Sequence, residues 1–398
     1  MSVPHSETGV VTDTPASEPT RAYEREFARL LGVAHATAFA YARHALVSCL
    51  AAAGLQPGDE VILSPLTCKV VPLALLSLDL KPVYVDICAD TLNLDPARVA
   101  AAIGPATRAV LFQHTYGNST GIKEVARHAA AGAIPLIEDC AQCTPERAKP
   151  YGPGTRGQAA VFSNNLRKPV PAGSGGVVVT NDDRLAERYR EFRDALPCRN
   201  VVSEAVLRVE MWTHAHILRP RLYWPLYELH MKVRGHHAAQ SVAEEIAAEV
   251  QSLAHRASDH QMRIGLRWLR EIDTIVAQRR LCVEEYAAAL SNVEGITLPC
   301  LASPEPLYYF PVLVDEKDGV LRTARRRRVE LIAWPVRTPI YPIERYDELA
   351  RYGYERGSNP VAEDVARRLV GLPTDLATQA PQRAALVQLL RRHHGSAH

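Results

Sequence analysis

The chain has 398 residues, 46 Lys and Arg against 44 Asp and Glu, a formal net charge of +2, and 47% hydrophobic residues. That length supports two domains with a sizeable core, and so small a charge gives no electrostatic reason to expect a nucleic-acid partner. No apolar run is long enough to span a bilayer, and eight scattered cysteines without a secretion signal point to reduced thiols in the cytoplasm.

Residues 1–20, rich in Ser, Thr, Pro and Glu, read as a disordered leader. The sequence then becomes periodic: AYEREFARLLG is an amphipathic helix closed by Gly32. ATAFAY is a short strand, RHALVSCLAAAGL a helix, PGDEVILS a turn into a strand, and KVVPLALLSLDL a helix. KPVYVDI, RAVLFQH and AIPLIED read as strands separated by the helices DPARVAAAI and IKEVARHAAAG. Short apolar strands alternating with helices predict an α/β fold whose mostly parallel central sheet is covered on both faces.

QAAVFSN and GGVVVTND extend that sheet, and the Gly-rich link between them suggests a tight turn. The helix DDRLAERYREFRD follows, and then a helical insertion at about 205–250, aromatic and basic, broken by Pro220 and Pro225. Two readings of it stand: helices packed on the fold or on a second subunit, or a weak membrane-surface contact through 212–234. Arg256 to Ala289 forms one or two long helices. After Asn292, alternating strands and helices make a smaller C-terminal α/β domain, assigned with its connecting helix to 261–398 against a large domain at 21–260. The run Arg325 to Arg328 continues a helical pattern from Leu321 to Leu331, which makes it a solvated helix face.

Four features carry chemistry. AIPLIED places Glu138 and Asp139 at the carboxyl end of a strand, where open parallel sheets bind ligands. A buried carboxylate there needs a partner, such as a protonated ring nitrogen or a helix to cap. Phe162-Ser163-Asn164-Asn165-Leu166-Arg167-Lys168, followed by Gly173-Ser174-Gly175-Gly176, sets a lysine on a loop after a strand. Such a lysine forms an imine with an aldehyde, and Ser163 offers a donor to phosphate. Ala42-Arg43-His44 opens a helix, a natural phosphate site. His114 ends the strand RAVLFQH, as a core histidine or a ligand contact. Cys140 and Cys143 form a CxxC, but no second pair answers it, so no metal is expected.

From about Tyr23 to Arg391 the chain resembles the DegT/StrS family of sugar aminotransferases. The stretches that carry the likeness include FARLLGVAHATAF, LQPGDEVILSPLTC, HTYGN, PLIEDCAQC, VFSNNLRK, SGGVVVTNDDRLAERYR and RASDHQMRIGL. The resemblance implies a fold-type-I pyridoxal 5′-phosphate (PLP) transferase. It makes Lys168 the Schiff-base lysine and Asp139 the acid paired with the pyridine nitrogen. It sets Gln142 beside the ring hydroxyl, Ser163 at the phosphate, and the phosphate-binding turn on Ala42, Arg43 and His44.

Departures accompany the likeness. The family's Ser-Gly-Thr turn is replaced at Ala42-Arg43, and Cys68 stands after Thr67 where the family stacks an aromatic on the cofactor. The family's Gly-x-Asn loop has no clear counterpart before Arg256, where His255 or Arg256 would substitute. His114, Arg256, Arg337 and Tyr341 fall in loops that would contact substrate. The implied reaction moves an amino group from an amino-acid donor, glutamate in most of the family, to a keto-sugar or cyclitol acceptor by a ping-pong scheme in a homodimer whose active sites lie at the subunit interface. The competing readings are a PLP enzyme of non-transaminating type and a non-catalytic binding protein on the same scaffold.

Overall fold

The computed structural model describes residues 16–147, 152–216, 241–300 and 305–395. Helix α1 (Glu18–Leu31) is capped by Ser17, whose hydroxyl accepts from the Thr20 N–H, and closed by Gly32 at φ 70°. The helix therefore begins inside the stretch read as a leader, because Ser-Glu-Pro is a strong start signal. Residues 1–15 lie outside the described residues.

Then follow β1 (His35–Phe39), α2 (Ala42–Ala52), β2 (Glu60–Leu63), β3 (Thr67–Cys68), α3 (Val70–Leu76), β4 (Lys81–Tyr84), α4 (Pro96–Ala102), β5 (Thr107–Gln113), α5 (Ile122–Ala131), β6 (Leu136–Cys140), β7 (Ala159–Ser163) and β8 (Gly176–Thr180). Seven of these strands form one sheet in the order β1-β8-β7-β6-β5-β2-β4. All its pairings are parallel except the two made by β8. Apolar clusters pack on both faces, one around Phe39, Leu50 and Ile137, another around Ile62, Val110 and Phe112. The Gly-rich link from β7 to β8 is no tight turn. It is the loop 164–175, tied across itself by Asn164 N–H to Gly175 O and Leu166 N–H to Gly173 O.

The chain continues through α6 (Asp183–Asp194) and α7 (Val201–His216) to α8 (Val242–Ile246), with 217–240 outside the described residues. Most of the 212–234 stretch considered for membrane contact falls there; Trp212, on α7, is 56% exposed. The long helical region is two helices, α9 (Asp259–Arg270), opened by a Ser258–Gln261 capping box, and α10 (Ile272–Leu290). Beyond them lie β9 (Ile296–Thr297), β10 (Tyr309–Val314), α11 (Lys317–Arg326), β11 (Ile340–Tyr341), α12 (Pro360–Arg368), β12 (Leu369–Pro373) and α13 (Ala380–Gly395).

Strands β12-β10-β9 form a separate antiparallel sheet. β11 reaches back to pair with β3, Tyr341 opposite Cys68, and so brings the C-terminal part over the large sheet. Helix α11 is shorter than its apolar pattern, ending at Arg326 with Arg328 in the left-handed region at φ 55°. The arginine run is thus split between a helix face and the turn that follows it.

Candidate active site

Side chains alternate across a strand, so Glu138 and Asp139 of β6 face opposite sides of the sheet. Glu138 is fully buried. Its Oε2 accepts from His114 Nε2 at 2.8 Å and from Gly154 N–H at 2.8 Å, and its Oε1 from the N–H groups of Arg156 (2.7 Å) and Gly157 (2.6 Å). Burial works to raise this carboxyl. The hydrogen bond and charge of His114, with the Gly157 and Gly154 N–H groups, outweigh that and hold it below the usual range.

Asp139 is also buried, yet the one hydrogen bond to its carboxylate among the described residues is Ala141 N–H to Oδ1 at 2.9 Å. Burial pushes its carboxyl above the usual range, against the pull of the Ala141 N–H and the charges of Lys168 and His114. The charge of Lys168 is thus felt at Asp139, which puts the lysine in its neighbourhood. The charge of Lys168 also acts on Cys68.

Lys168 sits half-buried in the loop 164–175, where its N–H donates to Asn165 O at 2.8 Å. Its Nζ lies 5.1 Å from the centre of the Tyr308 ring. Tyr308 donates its N–H to the carbonyl of Tyr116 (2.8 Å), and Tyr116 N–H donates to Gln142 Oε1 (2.7 Å). The Tyr116 hydroxyl reaches Trp334 O at 2.6 Å. Tyr116 is held at φ 56°, a conformation that costs a non-glycine residue about 1 kcal/mol or more. Three hydrogen bonds fix it, and they orient Gln142 so that its Nε2 makes no hydrogen bond among the described residues.

The third wall is the start of α2. Phe39 and Ser163 both pair with Gly176, and a Cβ on Gly176 would come within 2.4 Å of Ala42 Cα. Only glycine lets the helix end settle beside Ser163. Tyr41, the N-cap residue, offers no side-chain hydrogen bond to α2. The N–H groups of Ala42 and Arg43 meet no acceptor among the described residues, which leaves an anion-binding helix end.

Several expected contacts lie elsewhere. The Arg43 guanidinium is bound to the carboxylate of Glu249 and to its carbonyl oxygen at 2.5 Å, while His44 Nε2 lies 2.8 Å from Val250 O. Both side chains tie α2 to the segment after α8, so only the backbone of the turn points to a phosphate. His114 is spent on Glu138 and on Ser119 Oγ at 3.1 Å, a core role. Arg256 donates to the carbonyls of Leu196 (2.9 Å) and Asp194, closing the end of α6. Arg337 is exposed and lies 3.6 Å from Asp318. Tyr341, by contrast, stands beside Cys68 in register. Nothing in the sequence singled out Tyr308 or Tyr116 for the site; their sole signal was aromatic content in LYYF and HTYGN.

The donor atoms of His114, Glu138 and Cys140 lie within 4.8 Å of one another. Four hydrogen bonds already occupy Glu138, which leaves that cluster a structural one. On the other face the residues fit PLP. Asp139 is an under-bonded buried acid for the pyridine nitrogen, Gln142 has an amide donor that meets no acceptor among the described residues, Lys168 is an amine whose charge is felt at Asp139, and Ser163 with the α2 end suits the phosphate. A cavity of about 1520 Å³ borders the Lys168 loop, walled by Lys168, Tyr308, Arg208, Trp212, Arg267 and Trp268 among others.

Comparison with known proteins gives a consistent picture. The family model described as the DegT/DnrJ/EryC1/StrS aminotransferase family matches residues 12–206 and 224–390. The chain is 27% identical over 359 residues to the dTDP-3-amino-3,4,6-trideoxy-alpha-D-glucose transaminase of Micromonospora megalomicea, covering 88% of this chain and 83% of that protein. It is 35% identical over 191 residues to the L-glutamine:2-deoxy-scyllo-inosose aminotransferase of Streptoalloteichus tenebrarius, covering 48% of this chain and 45% of that one. Among solved structures, S. venezuelae DesV superposes with a TM-score of 0.74 at 24% identity, over 96% of this chain and 91% of DesV.

Proposed function

The chain belongs to the DegT/DnrJ/EryC1/StrS aminotransferase family and is a PLP-dependent aminotransferase, and from that premise we propose that it moves an amino group from an amino acid to a keto-sugar or cyclitol through Lys168 in two half-reactions. The observation that carries this reading is the meeting of Lys168 with an under-bonded, buried Asp139 at the carboxyl end of the sheet. Bound there, the cofactor supplies an electron sink for the carbanion left when the donor loses its α-proton.

The rest is the work of this chain. Lys168 Nζ would take the proton from the donor's α-carbon and return it two bonds away, on the far side of the amino nitrogen, acting as base and then acid. Asp139 keeps the pyridine nitrogen protonated, which the low-polarity setting makes effective. Gln142 Nε2 donates to the ring hydroxyl. Ser163 Oγ and the Ala42 and Arg43 N–H groups hold the phosphate. Cys68, small and half-buried, borders the site where an aromatic would stack, and Tyr341 beside it faces incoming substrate.

The donor in this reading is glutamate; its amide glutamine, the donor in the name of the Streptoalloteichus relative, is the competitor. The arginines and tryptophans of the neighbouring cavity support a nucleotide-linked sugar over a bare cyclitol, since guanidinium groups pair with phosphate and indoles stack on a base. The apolar outer face of α7, with Val202, Val206 and Val209 all more than 60% exposed, supports a second subunit at the site, hence a homodimer. Loaded enzyme mixed with glutamate or glutamine and no acceptor should release about one keto acid per site, as ping-pong order requires. Release only after a ketone acceptor is added would overturn the two-step order.

A further inference from the structure

Around Tyr41, the residue that opens α2, four basic side chains converge. The Arg43 and Arg199 guanidinium carbons lie 5.6 Å and 5.8 Å from the centre of its ring. The rings of His44 and His255 meet it edge-on at 6.0 Å and 5.6 Å. Arg43 and His44 are occupied by Glu249 and Val250. Arg199 and His255 are not: Arg199 Nε and Nη2 and His255 Nε2 are buried without a hydrogen-bond partner among the described residues. Leaving such donors buried and unmet is costly.

Acids near Arg199 do not remedy this. Asp194, Glu204 and Asp259 share a cavity of about 330 Å³ with it, but none of them bonds to its unmet nitrogens. Asp194 pairs with Arg193 at 2.8 Å, Asp259 accepts from the Ser17 hydroxyl at 2.5 Å, and Glu204 binds Arg208 through Oε1 at 3.1 Å, while its Oε2 is buried without a bond to Arg199 or to any other donor among the described residues. Burial, then the charges of Arg199 and His44, push the His255 ring down to about 4. With both rings neutral near pH 7 and Arg43 held by Glu249, the collar brings one unmatched charge, that of Arg199, and the unmet His255 ring nitrogen to a helix end that also lacks its acceptor.

We propose that Arg199 and His255 complete the phosphate site of the cofactor, binding its phosphoryl oxygens together with the open N–H groups of α2. The proposal rests on the PLP-dependent reading above. It assigns the charge at this turn to Arg199, remote in sequence, while the arginine within the turn, Arg43, holds Glu249. Arg256, the neighbour of His255, has no part in it, because its guanidinium closes α6.

The test compares PLP with pyridoxal, which lacks the phosphate. Loss of one charge-assisted contact corresponds to about tenfold or more in affinity. Arg199→Gln should weaken PLP by that factor and leave pyridoxal within about twofold, with His255→Gln giving a smaller loss in the same direction. Inorganic phosphate should raise the unfolding temperature of cofactor-free wild-type protein and not that of Arg199→Gln. Arg199→Lys, which keeps the charge, should recover part of the PLP affinity. Equal loss of both ligands in Arg199→Gln, or an unchanged PLP-to-pyridoxal ratio in both Gln variants, overturns the proposal. Failure of wild-type protein to attach PLP at Lys168 would instead overturn the reading on which it rests.

Discussion

Glu138 and Asp139 are adjacent, equally acidic and both buried, yet the fold treats them in opposite ways. Glu138 accepts four hydrogen bonds and is held below its usual titration range. Asp139 accepts one and is pushed above it. A saturated buried carboxylate organises structure, here by pinning the loop 154–157 and the end of β5. An under-saturated one is a cost to stability that makes sense only if a ligand supplies the missing partner. The difference marks which face of the sheet carries the chemistry, and several measurements can break or sharpen it.

The largest expected effect is on activity. Asp139→Ala should lower kcat on the order of 10²–10³-fold, the range for removing one preorganised electrostatic group, while the protein stays folded. A steady-state assay beside a melting curve checks both halves. Next in size is Glu138→Gln, which should cost about 3 kcal/mol of stability, as expected when buried N–H donors lose a charged acceptor. Urea unfolding would read it, with little change in kcat per folded molecule.

Acidity separates the closed groups from the open one. His44, 2% exposed, is pushed from 6.5 down to about 4. The unfolded chain therefore binds the proton first, and stability falls as pH drops from about 6.5 to 4, by about 3 kcal/mol for the whole shift. His44→Asn should remove most of that acid loss, seen as urea midpoints at pH 7 and 4.5. For Asp139 the sign reverses: a raised carboxyl means the folded state gains stability as pH falls. In cofactor-free protein, Asp139→Asn should be the more stable form at neutral pH, by about 1 kcal/mol for each pH unit of the shift, and lose that advantage in acid.

The smallest effect is at Arg337. Its exposed contact with Asp318 at 3.6 Å is worth well under 1 kcal/mol, and Arg337→Ala should leave KM and the unfolding midpoint unchanged within error.

Much of this arrangement was legible in the sequence. Strand runs such as AVLF and PLIED are apolar and short, and their alternation with helices leaves few folds open. Lys168, Asp139, Gln142 and Ser163 sit at strand ends in a recognisable order. What could not be read were the long-range partners of basic side chains. Arg43 looks like a phosphate ligand beside a helix start until Glu249, some two hundred residues away, is seen to occupy it. Arg256 looked like a substrate contact, but the open carbonyls of α6 claim it. Arg325 to Arg328 looked like one helix face because periodicity does not reveal the left-handed turn at Arg328. A side chain's type states what it can bind, and only the packing of distant elements decides whether that capacity is already used.

The central claim is that Lys168 and Asp139 form the working centre of a PLP-dependent aminotransferase. Its most direct test is to load the protein with PLP, reduce it with borohydride, digest it, and map the modified peptide. The account predicts one pyridoxyl group per chain, on Lys168 alone, and none in Lys168→Ala. A label on another lysine, or no label at all in wild-type protein, would contradict it.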